Sequence, residues 1–181
     1  MKFTHFDKKG DLDMVDIGDK PFSERVAIAK GYISLSEKTI NLIESSKIKK
    51  GNVYEVSRIS GIMGVKKVSE LIPLTHPLPV EKIKIEFFTE KDRINCFSLV
   101  KTHYKTGVEM EALFAVSTSL MTIYDMVKAV DKEGVIEGIE LVYKSGGKSG
   151  IFYKEKNDIK LINEKGGFSL FFKEKQIFTG F

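Results

Sequence analysis

The sequence predicts an α+β domain of the ferredoxin-like type, in which a βαββαβ chain forms an antiparallel sheet with helices packed on one face. Three observations predict it. Four segments alternate apolar and polar residues with the period of a strand. Segments with helical spacing separate the first strand from the second and the third from the fourth. The chain has 181 residues, of which 42% are hydrophobic, enough for one domain with its own core.

The first half of the chain contains one strand and two helices. Residues 25–33 alternate between two sets of small or β-branched apolar residues, which predicts a strand. Ser36 is a typical N-cap for a short helix over residues 37–46. A second helix is predicted over residues 53–71, because its apolar residues keep helical spacing until Pro73 stops it.

The second half contains a hairpin, a long helix and a last strand. Residues 80–89 and 94–104 alternate on either side of a polar turn, which predicts a β-hairpin. Residues 106–131 have the length and spacing of one long helix. Gly134 ends the helical region, and residues 135–143 alternate again as a fourth strand.

The long helix is apolar nearly all round and yet carries charge. Such a helix is normally enclosed on several sides, by its own sheet or by a neighbouring subunit. Glu109, Glu111, Asp125 and Lys128 therefore need an explanation, since a buried charge without a partner is costly. In one interpretation Asp125 and Lys128 form a helical ion pair, and the glutamates lie in a solvated first turn. In the other, these charges serve a reaction.

The two ends of the chain differ from the middle. Residues 1–21 are polar and are predicted to form a flexible arm. Residues 151–181 are rich in Phe, with a turn signal between two apolar segments, and are predicted to form a small hairpin docked on the domain. A partner-binding tail is the alternative, because exposed aromatic residues usually need a covering surface. We therefore divide the chain into a functional domain, residues 1–150, and an extension of unknown role.

Composition excludes several classes of protein. No apolar run approaches the roughly 20 residues that span a bilayer, and the N-terminus has no signal-peptide segment, so a cytoplasmic protein without membrane contact is expected. Cys96 is the only cysteine, which excludes internal disulfides and Cys-rich zinc or iron–sulfur sites. A net charge of +4 suits anionic small molecules at least as well as nucleic acid.

Five motifs occur in unbroken order along the chain. They are MVDIGDK from Met14, RISGIMGVKKVSELIPLTHPL from Arg58, TGVEMEAL from Thr106, TIYDMVKAV from Thr122 and KSGGKSG from Lys144. Together they resemble the cyclic pyranopterin monophosphate synthase family, the C protein of molybdenum cofactor biosynthesis. The resemblance covers roughly residues 14–150 and implies a similar architecture.

The resemblance implies a reaction and its ligands. The family rearranges (8S)-3′,8-cyclo-7,8-dihydroguanosine 5′-triphosphate to cyclic pyranopterin monophosphate and releases pyrophosphate. A lyase of this kind needs several proton transfers and a held triphosphate. It needs no redox cofactor. Mg²⁺ can accompany the triphosphate, and the sequence predicts no dedicated metal site.

The resemblance also implies the site residues. Asp125 and Lys128 are expected to act as an acid–base pair, and Lys50 is the third catalytic residue, in proton transfer or on the phosphates. The substrate-binding residues are expected to be Leu74, Thr75, His76, Glu109, Met110, Glu111, Arg25, Lys66 and Lys144. The family usually has Cys at the position of Thr75, and both residues are small.

The residues themselves support part of this assignment. His76 stands between Pro73 and Pro77, which hold its backbone extended in a defined loop, although a lone histidine is more often structural. The motif at Lys144 ends like a Walker A sequence, but Val142 stands where the first glycine is required, so it is no P-loop. Its adjacent glycines still leave backbone N–H groups free to approach an anion.

The length of the long helix predicts a site shared between subunits. Glu111 and Asp125 would lie about 21 Å apart along its axis, too far for one small substrate in a single subunit. Two copies packed antiparallel about a two-fold axis would bring the charged ends together. The resemblance implies such a dimer interface within a hexamer.

A non-enzymatic alternative remains. Ferredoxin-like domains also bind RNA, but the predicted third strand lacks the aromatic RNA-binding pattern, so nucleic acid is not expected as a partner. A non-catalytic ligand-binding or regulatory module for an anionic nucleotide is the remaining alternative. Such a module would not need Asp125 and Lys128 on its longest helix.

Overall fold

The computed structural model describes residues 9–181, and their helices and strands follow the predicted order. In chain order they are β1 (Ser23–Ser34), α1 (Glu37–Glu44), α2 (Val53–Val65), α3 (Val68–Leu71), β2 (Lys82–Thr89), β3 (Arg93–Tyr104), α4 (Glu109–Val127), β4 (Val135–Ser145), β5 (Phe152–Tyr153), β6 (Ile159–Glu164), β7 (Gly167–Phe172) and β8 (Lys175–Phe178).

The main sheet has the strand order β2-β3-β1-β4-β5, and each neighbouring pair is antiparallel. Its first four strands have the arrangement of a βαββαβ ferredoxin-like fold. In this arrangement β1 and β3 lie side by side in the centre, with β4 next to β1 and β2 next to β3. The predicted fold class is therefore confirmed. β5 adds two further residues beside the end of β4.

The helices cover one face of this sheet. Ala27 and Ala29 of β1 are fully buried beneath them, together with Val116 and Leu120 of α4. α2 approaches α4 closely at Gly61, where any Cβ would clash with Ser119 and with the backbone of α4. The close packing fixes the direction of α4 and therefore the position of its two ends.

The other face of the sheet is covered as well, which the sequence analysis did not anticipate. The extension was predicted to be a hairpin, but β6, β7 and β8 form a separate three-stranded antiparallel sheet, the C-terminal sheet. It buries the side chains of β1, β3 and β4 that face away from the helices, among them Val26, Ile28, Phe97, Leu99 and Tyr143. The apolar residues on both faces of β1 require this second layer.

Two helices differ from the prediction. The helix predicted over residues 53–71 is broken at Lys66 and Lys67, so α2 and α3 are separate. Val65 and Val68 are buried on either side of the break, and the apolar spacing therefore continues although the hydrogen-bonded helix does not. The long helix begins at Glu109 and ends at Val127, shorter than the predicted residues 106–131.

The predicted N-terminal arm lies partly outside the described residues, since residues 1–8 are not described. Residues 9–21 form turns and irregular backbone apart from an isolated bridge at Leu12, and Val15, Ile17 and Lys20 line a cavity together with the first turn of α4. Within residues 9–181, no helix is long and apolar enough to span a membrane.

Candidate active site

His76 stands in the loop that follows α3. Thr75 closes this loop by donating from Oγ1 to the carbonyl of Ile72 at 2.8 Å. The His76 ring is held by Nε2, which lies 2.8 Å from the carbonyl oxygen of Val15. Because a carbonyl only accepts, Nε2 donates, and Nδ1 is the second polar atom of the ring. The predicted loop therefore presents a histidine of defined orientation.

The first turn of α4 supplies two carboxylates. Glu109 is half-buried, whereas Glu111 is only 4% exposed. Burial raises the pKa of Glu111 to about 7, and the negative charge of Glu109 acts in the same direction. A carboxyl group with such a pKa exchanges protons near neutral pH, which suits general acid–base work.

The loop and the helix end form one cavity, the carboxylate cleft, of about 410 Å³. Val15, Ile17 and Lys20 of the N-terminal segment close its remaining side. Its wall includes the predicted binding residues Leu74, Thr75, His76, Glu109, Met110 and Glu111. The predicted Lys66 lies just behind, in a smaller cavity of about 220 Å³ that also touches His76 and Glu111.

A second cavity of about 820 Å³, the cationic cleft, adjoins the first. Both cavities are lined by Lys20, Thr106, Gly107 and Glu109, so they share a wall. Its walls carry five basic side chains: Lys20, Arg25, Lys105, Lys144 and Lys148. This concentration of cations is suited to a polyanion, because several positioned donors are needed to hold a highly charged phosphate chain.

Local contacts hold these cations in place. Lys144 Nζ lies 3.1 Å from Glu109 Oε1 and donates to Ser149 Oγ at 2.9 Å. Arg25 donates from Nη2 to the carbonyl of Lys105 at 3.3 Å. Gly147 has a φ of +70°, and a Cβ there would collide with the Arg25 guanidinium. The glycine therefore lets the backbone pass directly against the arginine.

The remaining predicted residues form a separate cluster at the other end of α4. Lys128 Nζ lies 2.7 Å from Asp125 Oδ1, and Lys50 Nζ lies 3.0 Å from Asp125 Oδ2. The hydrogen bonds from Lys128 and then Lys50 lower the pKa of Asp125, and Asp125 raises the pKa of Lys128. The three side chains are 45–56% exposed, so the premise that the charges on this helix are buried is wrong for Asp125 and Lys128.

The structure thus brings the predicted residues together in two groups. Arg25, Lys66, Lys144, the His76 loop and the first turn of α4 meet at one end of α4, whereas Lys50, Asp125 and Lys128 meet at the other. Within one subunit the two groups are about 21 Å apart along the axis of α4.

Three of the five basic residues of the cationic cleft, Lys20, Lys105 and Lys148, are not among the predicted site residues. Lys20 ends the MVDIGDK motif, and Lys105 directly precedes TGVEMEAL. Their position next to recognised motifs was the available signal. Lys105 also donates to the carbonyl of Gly18, which ties the N-terminal segment to the cleft. Among residues 9–181, no group of three or more His, Cys, Asp or Glu side chains is placed to hold a metal ion.

Comparison with known proteins adds independent information. A model of the MoaC family matches residues 14–147, which include every predicted site residue. A protein of Dinoroseobacter shibae named cyclic pyranopterin monophosphate synthase is 50% identical over 154 residues, 84% of this chain and 98% of the relative. Proteins with the same name from Helicobacter pylori and Clostridium botulinum are 48% identical over 158 residues and 51% identical over 156 residues. These alignments cover 86% and 85% of this chain and 100% and 98% of the two relatives.

Proposed function

This chain belongs to the MoaC family, and we propose that it converts (8S)-3′,8-cyclo-7,8-dihydroguanosine 5′-triphosphate to cyclic pyranopterin monophosphate and releases pyrophosphate. The reaction is an early step of molybdenum cofactor biosynthesis, and it makes the protein a lyase. The names of the relatives support this activity.

One observation carries the proposal: a cleft with acid–base groups lies directly beside a cleft with five cations and shares four lining residues with it. The substrate has the matching division, since its ring system must gain and lose protons while its triphosphate stays bound. We assign the rings to the carboxylate cleft, where His76 and Glu111 lie. We assign the phosphates to Arg25, Lys144 and the neighbouring basic residues of the cationic cleft.

Asp125, Lys128 and Lys50 act as the proton-transfer cluster in this proposal. Asp125 contacts both lysines, and the ion pairs hold the carboxylate and the two ammonium groups together, in position to exchange protons with a bound substrate. Their separation from Glu111 requires a second subunit, whose α4 runs antiparallel and brings its Asp125 to the carboxylate cleft.

The surface of the helices supports this pairing. Val56, Ile59 and Met63 of α2 and Met121 of α4 are 42–60% exposed. An apolar surface of this kind is the normal mark of an interface. We therefore propose a homodimer with two shared sites, assembled as three dimers into a hexamer in the cytoplasm.

We further propose that the protein acts without a resident cofactor. Any Mg²⁺ at the site would bind to the triphosphate oxygens, because the carboxylates of the two clefts do not converge into a cage. The protein's own part is to hold the phosphates with cations and to move protons at the rings.

The proposal is tested by incubating the purified protein with the cyclised guanosine triphosphate. Pyrophosphate and, after oxidation, a fluorescent pterin should appear in equal amounts. Tight binding of this substrate without release of pyrophosphate would instead favour the non-catalytic module for an anionic nucleotide.

A further inference from the structure

We propose that the C-terminal segment, residues 151–181, is a positioning element of the cationic cleft. The inference rests on the proposed function, since it concerns how the phosphate-binding residues are held. The segment lies beyond the region matched by the family model, which ends at residue 147. It nevertheless packs against the strand that carries Lys144.

The end of β4 is held between two strands. On one side β1 pairs Ala27 with Lys144 and Val26 with Ser145. On the other side β5 pairs Phe152 with Lys144. A backbone hydrogen bond of 2.8 Å from Lys154 to the carbonyl of Val142 continues this contact. Without β5 the end of β4 would be a free edge directly before the glycine loop, residues 146–150.

The C-terminal sheet supports the same strand on the face of the main sheet that points away from the helices. Tyr143, next to Lys144, is only 1% exposed. Its ring centroid lies 5.8 Å from that of Phe168 and 5.3 Å from that of Phe181. Phe181 is fixed in turn by two backbone hydrogen bonds to Phe168. Two aromatic rings of the extension therefore hold the residue beside the lysine.

This support matters because the side chains and backbone of the cationic cleft can function only within a narrow range of positions. Lys144 Nζ must reach Glu109 and the phosphates together, and Gly147 must pass against the Arg25 guanidinium without clashing. A shift of about 1 Å in such a constellation costs up to about a hundredfold in function. Loss of the aromatic support should therefore weaken the binding of the phosphates first and leave the proton-transfer cluster unchanged.

The test compares two phenylalanines of the extension. Phe181→Ala removes a ring that packs on Tyr143, whereas Phe171→Ala removes a ring from the outer face of β7, which lines a surface hollow. We expect Phe181→Ala to raise the KM for the substrate and the inhibition constant of inorganic triphosphate about tenfold, with kcat within about twofold. Phe171→Ala should leave both constants unchanged, and Phe181→Leu should restore most of the triphosphate affinity.

Three results would overturn the proposal. They are unchanged constants in folded Phe181→Ala, equal changes in Phe171→Ala, or a loss confined to kcat. Should Phe181→Ala fail to fold, Tyr153→Phe decides in its place, since it removes only the 2.7 Å hydrogen bond from Tyr153 to Ile159 that ties β5 to β6. A smaller rise in the same two constants supports the proposal, and no rise refutes it. A wild-type protein that binds inorganic triphosphate but releases no pyrophosphate would refute the proposed function alone.

Discussion

Lys144 at the end of β4 forms a 3.1 Å ion pair with Glu109 in the first turn of α4. This contact joins the strand that carries the glycine loop to the helix that carries the buried carboxylate. It lies where the two clefts meet, since Glu109 lines both. In the proposed complex the lysine therefore reaches Glu109 and a phosphate of the substrate together.

Lys144→Ala should weaken binding of a triphosphate more than binding of the corresponding nucleoside. The lysine is half-buried among other cations, and a charge-assisted hydrogen bond to phosphate is worth about 1.5–3 kcal/mol. Calorimetric titration with guanosine triphosphate and with guanosine measures the difference. Lys82→Ala on the edge strand β2 is the matched control and should bind both ligands as the wild type does. Equal losses for both ligands in Lys144→Ala would contradict a phosphate role.

Glu111 should make the stability of the protein depend on pH. Burial raises its pKa to about 7 from an ordinary value of 4.5. The folded protein therefore binds more protons than the unfolded chain between these values, so the contribution of Glu111 is complete below pH 4.5 and is lost as the pH rises through 7.

Glu111→Gln removes this dependence. We expect the variant to gain about 2 kcal/mol relative to the wild type between pH 5 and pH 8, measured by chemical denaturation at both values. The comparison with the wild type cancels other carboxyl groups such as Asp131, whose lowered pKa acts in the opposite direction. A constant difference between the two proteins would show that Glu111 is ionised throughout this range.

The features of the fold and of the site differ in how far the sequence could predict them. The strands and α4 follow from local periodicity, and motifs alone located His76, Glu111 and Lys144. The break at Lys66 was not predictable from spacing, because Val65 and Val68 both enter the core. Lys20 and Lys105 had only their position at recognised motifs as a sequence signal, and it is the tertiary structure that brings them to the site.

The second layer of the fold had a signal that the sequence analysis did not use. β1 is apolar on both faces, with Val26 and Ile28 on one and Ala27 and Ala29 on the other. A strand of this kind must be covered twice. The helices cover one face of the strand, so the Phe-rich extension was the available candidate to cover the other face.

Asp125→Asn should abolish turnover while the fold and substrate binding persist. The substitution keeps the volume and removes the charge that contacts Lys128 and Lys50. Loss of a general acid–base group typically lowers kcat about 10²–10⁴-fold. The exposed Glu133→Gln is the control for loss of a carboxylate near the same helix end. Pyrophosphate release near the wild-type rate by Asp125→Asn would exclude a catalytic role.

The separation of Glu111 and Asp125 leads to the last prediction. The two residues lie on one continuous helix, with Glu111 in its first turn and Asp125 in its last, about 21 Å apart along the axis. If each site takes Glu111 from one subunit and Asp125 from the other, Glu111→Ala and Asp125→Ala proteins are each inactive but complement one another.

Mixing the two variants after reversible dissociation should restore activity. In a mixed dimer one site carries both lesions and the other carries neither. Random pairing makes half of the dimers mixed, so about a quarter of the wild-type activity should return. Two preparations of the same variant, mixed in the same way, should stay inactive. If native mass spectrometry shows mixed dimers and no activity returns, each site lies within one subunit, and Asp125 cannot act on the ligand that Glu111 binds.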